Sequence, residues 1–273
     1  MFFLGSAYPT GKLGLNASIP PILFGSLRMI IVFFCLLPFL KFKIPNKKYF
    51  LPLVGFSFAM GVGVNLFLYL SINASKIMSP IVIGAQISIP LAILISSIFM
   101  GESISKKKWI FIFSSFVGIL LIGFDPKIAD EIIGFLLICC MAFFYGIAQV
   151  LSRYLKDLDV KFTNAFMGLF GFLILLILSI LFEGNTISHL KNFNTDAWLL
   201  ALHHGILCSL MGHMAMFYLY KFYPVGNVLP FYALFPVFGI MLSFFIFGEI
   251  PTIIMSLGGI IVITSVYLLQ KSS

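Results

Sequence analysis

The most constraining feature of this chain is that it repeats itself, with the second copy turned over. A hydrophobic stretch ending in Ile98-Phe99-Met100-Gly101-Glu102 returns as Phe245-Ile246-Phe247-Gly248-Glu249, an offset of 147 residues (249 − 102), about half of the 273. Each copy holds about five apolar segments of membrane-spanning length. An odd number of crossings makes the second copy enter the bilayer from the opposite face. Inverted repeats of this kind are how many secondary carriers build a midplane site that opens to either side.

Composition agrees with lipid as the solvent. Hydrophobic residues make up 61% and charged residues 10%, whereas a soluble domain carries about 25% charged residues. No polar stretch is long enough for a separate soluble domain, and no basic n-region with a small-residue cleavage site marks a signal peptide. A helix needs about 20 apolar residues to cross the hydrocarbon core. Spans are expected at about 2–17, 20–40, 50–72, 78–100, 107–124, 132–152, 163–182, 197–220, 225–247 and 252–270. The predicted fold is therefore an all-α polytopic membrane protein of ten transmembrane helices. They form two inverted-topology five-helix repeats, 1–126 and 127–273, the first helix being short.

The net charge of +8 sets orientation rather than marking a nucleic-acid binder. With the N-terminus in the cytoplasm, the inside segments hold Lys41, Lys43, Lys47, Lys48, Lys106, Lys107, Lys108, Arg153, Lys156, Lys161, Lys221 and Lys271. The outside loops hold Lys76, Lys127 and Lys191. Twelve against three is a strong positive-inside bias. It supports an even number of crossings with both termini cytoplasmic; the expected location of this multi-pass protein is the bacterial inner membrane. Cys35, Cys139, Cys140 and Cys208 lie inside apolar segments and read as reduced packing residues.

Against this background, Leu4-Gly5-Ser6-Ala7-Tyr8-Pro9-Thr10-Gly11-Lys12, followed by Pro20-Pro21 and Arg28, resembles the opening of the drug/metabolite transporter superfamily, EamA type. Tyr69, Ser79-Pro80, Pro90, Gly101-Glu102 and Gly118 continue the pattern in the first half. Gly205, Gly212, Tyr218, Pro224, Pro230, Pro236, Gly248-Glu249 and Gly258-Gly259 follow in the expected order in the second. The resemblance covers essentially the whole chain. The chain departs from it in the short first helix and in Leu4, where many relatives have tryptophan. The resemblance implies ten helices, a cavity between two inverted halves and alternating access. It does not imply a substrate.

Polar residues inside the spans are the candidate site, because polar side chains in a membrane face the bundle interior. They are Tyr8, Asn65, Tyr69, Gln86, Tyr145, Gln149, His213 and Tyr232, the expected substrate-binding set. Asn65 and Tyr69, and Tyr145 and Gln149, are i, i+4 pairs on one helix face. Shifted by 147, Asn65 falls beside His213 and Gln86 beside Tyr232, so both halves place polar groups at matching depths. The alternative for each is interhelical hydrogen bonding, worth about 0.6 kcal/mol.

Arg28, Pro90, Glu102, Pro236 and Glu249 are expected to gate or to support the structure. For Arg28 two readings stay open: a contact to an anion, or a bond to backbone carbonyls of a neighbouring helix. Lys12 reads as a lysine snorkelling to the outer surface. Pro80 and Pro90, with Pro230 and Pro236, are expected to kink the fourth and ninth helices. His203-His204 lies too far from His213 to share a metal, and no cofactor is expected. No Asp or Glu sits at mid-membrane, which leaves proton coupling open beside exchange or downhill efflux.

The sequence thus predicts a non-enzymatic carrier whose partners are a small-molecule substrate and the bilayer, without nucleic acid, as monomer or homodimer. Export of an amino acid or related compound heads the expectations. The alternatives are uptake or exchange, as of S-adenosylmethionine, and a lipid flippase. A membrane-embedded enzyme would need an interfacial cluster of acid, histidine or arginine, and the loops are too short to build one.

Overall fold

A computed structural model describes residues 1–40, 45–100, 105–223 and 234–271. Glu102, Pro230 and Tyr232 lie outside the described residues. Among those described there is no strand, and the apolar spans form ten helices. The first five are α1 (Phe2–Asn16), α2 (Pro21–Leu36), α3 (Lys47–Ala74), α4 (Ser79–Phe99) and α5 (Lys106–Gly123). The second five are α6 (Ile132–Tyr154), α7 (Val160–Phe182), α8 (Thr195–Phe222), α9 (Phe235–Phe247) and α10 (Ile253–Lys271). Five of them, α3, α4, α6, α7 and α8, are long and apolar enough to cross a membrane, as is α2 with the short 3-10 turn that follows it. A short helix, Thr186–Lys191, lies between α7 and α8.

Local chemistry sets the helix ends. The side chains of Asn46, Ser105, Asp159 and Asn194 each accept a backbone N–H from the first turn of the helix they precede, a cap worth about 1 kcal/mol. Pro21 and Pro80 sit in the first turns of α2 and α4, where a missing N–H costs nothing. Pro80 therefore starts its helix instead of kinking it. Pro90 is different. It offers no N–H to the carbonyl of Gln86, and just there α4 tightens into a 3-10 turn, Ala85–Ile87. Pro236 occupies the first turn of the described part of α9.

The packing repeats as the sequence does. α1 lies on α9 as α6 lies on α4; α3 packs on α6 as α8 packs on α1; α3 crosses α7 as α8 crosses α2. Advancing every helix by five places maps each pair onto its counterpart. The pairs α2–α7 and α5–α10 map onto themselves, so they straddle the pseudo-two-fold axis. Both are extensive. In the second, Gly118 and Gly258 bring two backbones together: a Cβ on Gly118 would lie 2.8 Å from the Gly258 carbonyl oxygen, and one on Gly258 would lie 2.7 Å from that of Gly118. Small residues permit such close approach between helices in lipid. The outer surface is strongly apolar, with Phe99, Phe182, Phe245 and Ile253 all more than 70% exposed.

Helices α3 and α8 share a further feature. Ser57–Val64 of α3 and His203–Met214 of α8 are wound as π-helix, and the 147-residue offset carries the first segment inside the second. The wide turn leaves carbonyls poorly paired, and in a membrane polar side chains satisfy them. Asn65 Nδ2 donates to Met60 O at 2.8 Å and Gly61 O at 3.2 Å. Ser209 Oγ donates to His204 O at 3.0 Å.

Candidate functional site

Where α1, α2, α3 and α4 of one half meet α6, α8 and α9 of the other, a central cavity remains. Its polar lining is Tyr8, Arg28, Tyr145 and His213; Leu68, Ala85, Met141 and Phe235 are among its apolar walls. Tyr8 stacks on Phe235 at 5.8 Å between centroids, and Tyr145 Oη lies 3.2 Å from His213 Nδ1. The first contact joins the two halves, and the second joins α6 to α8 within the second half. Between the described residues the free space is about 30 Å³, room for roughly two waters. The cavity is contracted, so a metabolite enters only after the helices part.

The structure distributes the other candidate residues around this cavity. Asn65 is fully buried, and its amide bonds its own helix, as described. Gln86 is buried in the 3-10 turn beside Ala85. Gln149, one turn beyond Tyr145, is fully buried, and neither of its amide atoms has a partner among the described residues.

Tyr69 belongs to a hydrogen-bonded chain that sequence reasoning did not assemble. Thr10 Oγ1 donates to Ser6 O at 2.6 Å, so it accepts from His204 Nε2 at 3.0 Å. His204 Nδ1 is then left to accept from Tyr69 Oη at 2.7 Å. His203 lies 3.3 Å from Ser6 Oγ, and Phe24 stacks on Tyr69 at 4.5 Å. This cluster ties α1, α2, α3 and α8 together beside the cavity. No three His, Cys, Asp or Glu side chains converge as a metal site among the described residues.

Arg28 is fully buried. Its Nε donates to Ser209 Oγ at 2.7 Å, and neither Nη has a hydrogen-bond partner among the described residues. Tyr69 Oη, which donates to His204 Nδ1, lies against the guanidinium as a loose acceptor, and neither Nη meets full hydrogen-bond geometry with any described residue. A buried charge without a counter-ion costs several kcal/mol. Ser209 therefore fixes one edge of the guanidinium and leaves the other edge unmatched at the cavity wall.

One face of the bundle is closed by charges seated on helix ends. The turn between α3 and α4 is held from three sides. Lys12 Nζ of α1 donates to Ile72 O at 3.3 Å and Ser75 O at 2.5 Å. Glu131, before α6, accepts from Lys76 N at 2.7 Å, and Glu249 accepts from Met78 N at 2.8 Å and Ser79 N at 3.4 Å. A cation thus sits at a helix C-terminus and a carboxylate at a helix N-terminus, each matched to the helix dipole. The Gly-Glu pair of the repeat has a physical role here. Gly248 ends α9 at φ 68°, a left-handed conformation natural to glycine, and the turn carries Glu249 back to the start of α4. Lys12 is engaged with carbonyls rather than snorkelling. On the same face Glu183 accepts from Ile22 N at 2.5 Å and Leu23 N at 2.9 Å at the start of α2. The signal for these latches was present in the sequence, as charges at span ends, but their partners lie tens to hundreds of residues away.

Comparison with known proteins fits this architecture. A curated relative from Acidianus ambivalens, described as an uncharacterized transporter in the sor 3′ region, is 29% identical over 157 residues. The match spans 57% of this chain and 59% of the relative's length. A solved structure, described only as the crystal structure of a protein, shares the fold with a TM-score of 0.67 at 16% identity, over 98% of this chain and 93% of its own. The EamA-like transporter family matches residues 1–124 and again residues 132–270. The chain belongs to the EamA-like transporter family.

Proposed function

We propose that this transporter is a secondary carrier exporting an amino acid or a related small metabolite across the bacterial inner membrane, with both termini cytoplasmic. The halves 1–126 and 127–273 would alternate around the central cavity. The observation that carries the reading is the cavity itself, lined by Tyr8 and Arg28 from one half and Tyr145, His213 and Phe235 from the other. Relative movement of the halves must open or close such a site. The mostly neutral, aromatic lining favours a zwitterionic or amphipathic solute over a multiply charged one. Lys12, Glu131 and Glu249 serve as the outer latch, since the turn they hold falls outside under the positive-inside rule.

Counterflow in proteoliposomes tests the reading, with labelled amino acids, amines, nucleosides and S-adenosylmethionine in separate pools. Saturable accumulation of one amino acid or relative is expected. Accumulation of S-adenosylmethionine alone would replace the proposed substrate class, and silence from folded protein would remove the carrier reading for these solutes.

A further inference from the structure

We infer that the free edge of Arg28 is an anion subsite that takes the carboxylate of a small solute with an apolar body. The inference rests on the carrier reading and names the chemistry of its substrate. Arg28 is fully buried, lines the cavity, and has both Nη atoms without a hydrogen-bond partner among the described residues. The Nε–Ser209 bond at 2.7 Å orients the planar group. Ser209 is in turn held by its bond to His204 O.

A guanidinium so placed presents two parallel donors, which match the two oxygens of one carboxylate. Carbonyls, the structural alternative for Arg28, are absent from its partners among the described residues. Among the described residues no carboxylate lines the cavity, so a free amine finds no counter-charge from them. The carboxylate, not the amino group, is the charged handle. The remaining lining, with Leu68, Met141 and the stacked Tyr8–Phe235 pair, suits an apolar or aromatic body.

The test uses alanine, leucine and phenylalanine scaffolds, each as amino acid, amino acid amide, deaminated carboxylic acid and simple amine. Binding to the purified full chain and counterflow in proteoliposomes are read separately. The two carboxylate-bearing members of the best scaffold should bind alike, and the amide and amine about 100-fold more weakly, because a site built for one polar group rejects its absence strongly. Arg28→Gln should erase that preference. Arg28→Lys, which keeps charge but loses the fork, should weaken carboxylate binding about 10-fold.

If Arg28→Gln does not fold, Ser209→Ala serves instead. It frees Nε and misaims the fork, and should weaken carboxylates while leaving amides unchanged. Equal binding of acid and amide, or no carboxylate binding to folded protein, would overturn the subsite. Counterflow of a neutral or cationic member alone would keep the carrier and remove the subsite. Carboxylate binding without counterflow would keep the subsite and remove the carrier.

Discussion

Replacing Glu249 should loosen the outer closure, and its geometry gives the size of the effect. The side chain accepts one good backbone hydrogen bond, from Met78 N at 2.8 Å, and one long one, from Ser79 N at 3.4 Å. Burial raises the Glu249 carboxyl above the ordinary carboxylate range, against the opposing pull of these two N–H groups and of Lys12. The environment thus disfavours the charge, and the latch works as a hydrogen-bond acceptor. Two neutral-strength bonds, one of them weak, contribute about 1–2 kcal/mol, or roughly 5–30-fold in the opening equilibrium. Glu249→Ala should therefore open the outer face by about that factor. Glu249→Gln keeps an acceptor oxygen and should stay within about threefold of the parent.

A cysteine at Ala7, which lines the cavity, reports opening through labelling by an impermeant maleimide from outside. The four native cysteines are removed for the assay. Because the closed-state carboxyl is raised, closure is fully supported below the ordinary carboxylate range and loses that support as pH rises through the raised value. At matched pH, labelling of the parent should slow towards acid relative to Glu249→Gln. Unchanged labelling in Glu249→Ala would refute the latch. Equal opening in the Ala and Gln variants would show that charge, not the acceptor, holds it.

Three further outcomes are expected. Gly118→Ala drives a methyl against the Gly258 carbonyl oxygen, 2.8 Å from the new Cβ, and should destabilise α5–α10 by about 1–3 kcal/mol; an unchanged melting temperature in detergent would mean that the helices have slack. Tyr145→Phe and His213→Gln share one contact, so their effects on transport should be less than additive by about 0.5–1.5 kcal/mol; full additivity in a double-mutant cycle would separate them. Glu183→Ala strips the acceptor from Ile22 N and Leu23 N and should cost about 1–2 kcal/mol; full stability with normal expression would show that solvent replaces it.

The membrane fold was legible because its causes are local. Whether a segment enters lipid depends on its own run of apolar residues, and the inversion of the repeat on the odd count between Gly101-Glu102 and Gly248-Glu249. The candidate site was legible only in part. Tyr8, Tyr145 and His213 meet at the cavity, as polar residues on interior faces should. Asn65 is turned onto its own backbone by a π-helical segment that no composition signals. Tyr69 is drawn to His204, 135 residues away. Arg28 shows the division most clearly. Its burial follows from a charge inside an apolar span, but which of its nitrogens would be matched depended on Ser209, brought beside it by the crossing of α8 over α2. Sequence fixes which groups must leave water; only the packing of distant helices decides which of them find partners and which remain for a solute.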